Sequence, residues 1–97
     1  MEVIDFEPQF WFLLRKDNDY FIDVNCSYSF VGYGRFIQLD ASELKEYKKR
    51  GKPFLNDFAN DIQYYGMSNK YTERHILGEI NDLAYKSIMK FNEDNPR

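Results

Sequence analysis

The sequence predicts an α+β domain in which a three-stranded antiparallel sheet near the amino terminus is followed by three helices packed on it. Three observations carry that expectation. Residues 10–39 are dense in aromatic and β-branched side chains that alternate along the chain, the period of strands. Polar turn formers interrupt the alternation twice. Beyond residue 40 the apolar positions recur at intervals of three and four, the period of a helix with one buried stripe.

Residues 1–8 read as a short edge strand or an ordered arm that ends at Pro8. The first full strand follows from Gln9 to Lys16, with Phe10, Phe12 and Leu14 on one face and Trp11 and Leu13 on the other. Apolar residues on both faces require cover on both sides, from the same chain or from a partner. Asp17, Asn18 and Asp19 form a tight turn, because their short side chains bond nearby backbone and tolerate left-handed conformations. In the second strand Tyr20, Ile22, Val24 and Cys26 share one face, and Phe21, Asp23 and Asn25 the other. Ser27, Tyr28 and Ser29 connect to the third strand, where Val31, Tyr33, Ile37 and Leu39 point inward with Arg35 among them. Phe30, Gly32, Gly34, Phe36 and Gln38 lie opposite. The two glycines leave a groove or permit a bulge on that face, with a helix of the same chain as the expected occupant.

Asp40 or Ser42 caps the first helix, and Asp40 and Glu43 have the spacing of a capping box; Leu44 and Tyr47 form its stripe and Gly51 ends it. Pro53 suits the first turn of a second helix, carried by Phe54, Leu55, Phe58, Ile62 and Tyr65 and stopped at Gly66. A linker at Ser68 and Asn69 precedes the third helix. Ile76, Ile80, Ala84, Ile88 and Phe91 mark its buried side, with Leu77 and Leu83 alongside, and residues 92–97 read as a frayed tail.

A chain of 97 residues is expected to form a single domain. Hydrophobic residues make up 43% and aromatics 19%, which excludes a disordered chain and leaves rings to spare for a surface. The net charge of −3 is concentrated before residue 31, where Glu2, Asp5, Glu7, Asp17, Asp19 and Asp23 face only Arg15 and Lys16. That bias favours a cationic partner over a surface that tracks phosphates. Cys26 is the sole cysteine, as expected in a reducing compartment. The opening MEVIDFEPQ does not read as a signal peptide, and the longest apolar run, Phe10 to Leu14, is far short of a membrane helix. A cytoplasmic protein is the expectation.

No catalytic, metal or cofactor motif emerges from the residues. Cys26 falls on an inward strand face and His75 at a helix start, with nothing to bring them together; one Cys and one His do not make a zinc site. Asp17, Asp19 and Asp23 lack the remaining ligands and the terminal Glu of a calcium loop. Gly32-Tyr33-Gly34-Arg35-Phe36 has the look of an RNA-recognition strand, but three residues separate the two rings, so they point to opposite faces. Lys45, Lys48, Lys49, Arg50 and Lys52 form a basic run diluted by Glu43 and Glu46, which reads as a solvated helix end.

The segment DYFIDVNC, then SFVGYGRFIQL and the helix from Ala41, resembles small bacterial immunity proteins of contact-dependent growth inhibition and related polymorphic toxin systems, over residues 10–66. The resemblance implies a cytoplasmic protein that binds and neutralises a cognate toxin domain, often a nuclease, by occlusion and without catalysis or a cofactor. The expected partner is a basic protein domain, not a nucleic acid or a membrane. Asp17, Asp19, Asp23 and Tyr28 are the residues expected at the interface, with Tyr33 and Phe21 as further rings to hold it. The alternative is a small nucleic-acid-binding module using the Gly32–Leu39 strand and the Lys45–Lys52 helix end, and a third reading is a small enzyme working through Cys26 or the carboxylates.

Overall fold

A computed structural model describes residues 1–28 and 31–95, the side chains of residues 27, 28 and 31 excepted. Ser29 and Phe30, read above as turn and strand, and the last two residues of the tail therefore lie outside the described residues. The elements are β1 (Glu2–Glu7), β2 (Trp11–Lys16), β3 (Asp19–Tyr28), β4 (Val31–Gln38), α1 (Ala41–Arg50), α2 (Lys52–Tyr65), α3 (Asn69–Thr72) and α4 (Glu79–Asp94). The four strands form one antiparallel sheet in chain order.

The α+β class holds, with one strand and one helix more than expected. Residues 2–7 pair with β2, from Glu2 opposite Arg15 to Glu7 opposite Trp11, with Ile4 left without a partner. A bulge between Val3 and Asp5 resets the alternation, so Val3 and Phe6, three residues apart, share the face of Phe12 while Ile4 packs on the other. That irregular period departs from the alternation by which a strand is read from sequence. The additional helix is the single turn α3, which carries the buried Tyr71.

Both faces of the sheet are covered, as the two apolar faces of β2 demand. On one face Trp11, Leu13, Ile22, Val24, Cys26 and Ile37 meet Leu55, Phe58, Ala59 and Ile62 of α2, with the buried Tyr71 of α3 in the same cluster. The indole N–H of Trp11 donates to Asn56 Oδ1 at 2.9 Å, which removes the cost of burying it. On the other face Leu14, Phe21 and Phe36 pack with Ala84, and Ile76, Ile80 and Ile88 close around them. Phe91, further along α4, sits edge-on to Phe6 and Phe12, with centroids 5.1 and 6.1 Å apart. Helix α4 thus lies on the face opposite α2, and the sheet is the middle layer. Each fully buried aliphatic side chain here contributes about 1.5–3 kcal/mol relative to exposure.

Phe10 departs from the expected alternation. It packs with the Trp11 cluster and not with Phe12 and Leu14, because it precedes β2 in a turn where Gln9 takes φ 61°. Asp17, at φ 56°, supplies the left-handed residue of the β2–β3 turn, as its side chain permits. The capping box is present in full: Glu43 N donates to Asp40 Oδ1 at 2.8 Å and Asp40 N to Glu43 Oε1 at 2.9 Å. Gly51, at φ 71°, both ends α1 and precedes α2. Helix α4 starts at Glu79, later than its apolar spacing suggests, and leaves Ile76 and Leu77 in the preceding segment. It continues to Asp94, past the point where fraying was expected.

Candidate partner-binding site

The face shared with α4 is not covered to its end. Helix α4 seals Leu14, Phe21 and Phe36, but beyond them Phe12, Asp23, Asn25 and Gly34 line an open pocket of about 240 Å³, with Gln9 and Phe10 at its rim. The alternation of β3 aims Asp23 into this space. Its cross-strand neighbours are Phe12 on β2 and Phe36 on β4, so the carboxyl group lies among rings. No hydrogen bond or ion pair holds it among the described residues. Burial pushes its pKa up to about 6, because a charge removed from water and left without a counterion is costly.

Gly34 is the other half of the pocket. A β-carbon there would lie 3.5 Å from Asp23 Oδ1, so the carboxylate leans over the position that a side chain would occupy. The two strands pair without a bulge here, Asn25 opposite Gly34 and Asp23 opposite Phe36. The glycines therefore open a groove, which α4 leaves vacant at this end. The cover expected from a helix of the same chain extends only as far as Phe36.

The outer edge of β4 is closed over part of its length. Phe36 N donates to His75 Nδ1 at 3.1 Å, and Ile76 N donates to Phe36 O at 2.9 Å. Arg74 Nη2 reaches Gln38 O at 2.9 Å. Both main-chain groups of Phe36 thus point away from β3. Because these directions alternate along a strand, Gly34 and Gly32 also turn their N–H and C=O outward. No hydrogen bond engages those groups among the described residues, and both glycines are exposed. Leu77, 75% exposed, follows Ile76 in the chain, and Met67 is 57% exposed. Met67 is anchored to β4 through Arg35, whose Nε donates to Gly66 O at 3.0 Å and whose Nη2 lies 3.8 Å from the Met67 sulfur.

The residues expected at an interface do not form one cluster. Asp17 and Asp19 sit exposed at the β2–β3 turn, with Asp17 3.7 Å from Lys16 Nζ. Asp23 lies four residues along β3, roughly 13 Å away, with buried Phe21 between. Tyr28 ends β3, roughly 30 Å from Asp19, and its side chain lies outside the described residues. Phe21 is only 4% exposed and stacks on Phe36, so it belongs to the core and not to a contact surface. Tyr33 is half-buried beneath Arg35. The most exposed aromatics among the described residues are Tyr64 on α2 and Tyr85 on α4, 81% and 66% exposed. Tyr64 falls between the stripe positions Ile62 and Tyr65, and Tyr85 directly follows Ala84, so helical spacing already sets both off the buried side.

Cys26 and His75 are not brought together. Cys26 is buried on the α2 face and its thiol donates to Val24 O at 3.6 Å; burial raises its pKa, which disfavours the thiolate. His75 has Nδ1 committed to the main chain at the β4 edge. Tyr33 and Phe36 point to opposite faces, and Phe36 is buried, so they make no joint stacking surface. In the basic run, Arg50 pairs with Asp57 at 2.6 Å and Lys52 with Glu7 at 3.1 Å, while Lys45, Lys48 and Lys49 stay exposed. No protein-family model, curated protein or solved structure matches the chain.

Proposed function

We propose that this chain is an immunity protein: it binds a basic toxin domain and neutralises it by covering it, performing no chemistry of its own. The observation that carries the reading is the Asp23 carboxylate, half-buried, directed into an open pocket and without a counterion among the described residues. A folded protein gains nothing from such a group unless something else supplies the charge. An incoming lysine or arginine would be held by an ion pair formed in partly desolvated surroundings, where it is stronger than at an open surface. The acidic balance of the first third of the chain supports the same partner by steering its approach.

The reading is tested by co-expression with the carboxy-terminal domain of a large secreted protein encoded immediately upstream. Growth should be restored by this chain, the two should copurify, and Asp23→Lys should lose both effects while remaining folded. Neutralisation without a complex, or a partner with no basic surface, would overturn it.

A further inference from the structure

The open groove and the open strand edge meet at Gly34. We infer that β4 accepts an extended segment of the protein partner as a fifth strand along Gly32–Gly34, and that this segment carries a lysine or arginine whose side chain crosses Gly34 to reach Asp23. This deepens the reading above and rests on it for the partner being a basic protein.

Several observations lead to it. The outward main-chain groups of Gly32 and Gly34 are the ones that a docked strand would pair with. Residues 74–76 close the edge at Phe36 and Gln38, so the docking segment is short and its register is set by where that cover ends. A fifth strand would lie about 9–10 Å from β3, two strand spacings. The direct path between them passes over Gly34, which has no side chain to block it, and the Asp23 carboxylate already leans over that point. Only a long side chain bridges such a gap, and only a cation answers the unpaired carboxylate. Phe12 beside Asp23 offers a ring to an ammonium or guanidinium group. The pocket is below the roughly 300–1,000 Å³ of small-molecule sites, as suits one side chain rather than a whole ligand. Leu77, next to the Ile76 that bonds Phe36, and Met67, held by Arg35, are exposed apolar side chains within the segments that meet β4.

The test uses the full ¹⁵N-labelled chain and two blocked heptapeptides, Thr-Val-Thr-Arg-Thr-Val-Thr and its counterpart with glutamate at the centre. The arginine peptide should shift the Gly32 and Gly34 amides, slow their hydrogen exchange, and bind at least about tenfold tighter than the glutamate peptide. Asp23→Asn should reduce that preference to less than about twofold while the amides still shift, since main-chain pairing remains. Gly34→Val should abolish the preference by filling the path; its β-carbon meets Asp23 at ordinary contact distance, and Trp11 fluorescence reports that the variant is folded. If Gly34→Val does not fold, the Asp23→Asn arm alone decides.

The inference is overturned if neither peptide perturbs these glycines at about 2 mM, or if both peptides bind equally. It is also overturned if the two amides broaden with protein concentration alone, which would make the occupant a second copy of this chain. Should Gly34→Val still neutralise a toxin that the native chain neutralises, the strand inference falls and the immunity reading stands. Should the arginine peptide dock as described while no toxin binds, the reverse holds.

Discussion

Arg74 and Glu43 form a two-pronged ion pair, with Nη2 to Oε1 at 2.6 Å and Nη1 to Oε2 at 2.9 Å. Glu43 is also the capping-box residue of α1, and Arg74 also holds Gln38 O at the edge of β4. One interaction therefore ties the start of α1, the segment before α4 and the sheet edge together. Removing the guanidinium strands a largely buried carboxylate and one strand carbonyl. Arg74→Ala should lower stability by about 2–3 kcal/mol, measured by urea denaturation. Amide exchange at Phe36 should rise in parallel, because the cover over that edge loosens.

Asp23 should reduce the stability of the free protein at neutral pH. Its folded pKa, about 6, lies above the ordinary carboxylate value, so the folded chain binds this proton more tightly than the unfolded one. The stability it contributes is present below about pH 4 and is lost as pH rises through 6. Asp23→Asn should then be more stable than the native chain by about 1–3 kcal/mol at pH 7.5 and equal to it near pH 4. Equal denaturation midpoints at pH 7.5 would mean that the carboxylate has a compensating partner, and the pocket would lose its meaning as a cation site.

His75 should act with the opposite sign. Burial, and then the nearby Arg35, lower its pKa, and its Nδ1 accepts the Phe36 N–H only when unprotonated. The stability it contributes is present above the ordinary histidine range and declines as pH falls below it. In an Asp23→Asn background, where the opposing carboxylate is gone, denaturation midpoints should fall steadily on acidification below about pH 6.5. His75→Ala should remove that slope and cost about 1–2 kcal/mol at pH 7.5 for the orphaned amide.

Gly66 is required by close packing and not by backbone angle, since its φ is −60°. A β-carbon there would collide with the Tyr33 hydroxyl and lie 2.7 Å from the Ile62 carbonyl oxygen. The tyrosine can shift, but the helix carbonyl cannot. Gly66→Ala should destabilise by about 1–3 kcal/mol, read as a lower Tm, and Tyr33→Phe should recover only part of the loss.

The immunity reading and the strand inference share Asp23 but not Gly34. The pair of positions therefore separates recognition of charge alone from recognition by a side chain that crosses β4 at Gly34. A partner that depends on Asp23 alone is held by its charge, whereas one that depends on both residues is held in a defined register.

Much of the local structure was written in the sequence. The capping box at Asp40 and Glu43, the Asp17 turn and the alternation of β3 all rest on interactions within a few residues, so residue type at short spacing decides them. Both-sided burial of the sheet followed from the apolar faces of β2. Other features depended on contacts between distant segments: the pairing of Glu2–Glu7 with β2, the passage of α4 to the face opposite α2, and the cover that residues 74–76 place over β4. The candidate site belongs to this second group. Alternation assigned Asp23 and Gly34 to one face, but only the reach of α4 left them uncovered, and only the placement of the cations among the described residues left Asp23 without an ion pair there. Spacing along a chain sets which side chains share a face; how far a packed helix extends across that face is decided by the long-range fit of side chains that no short stretch contains.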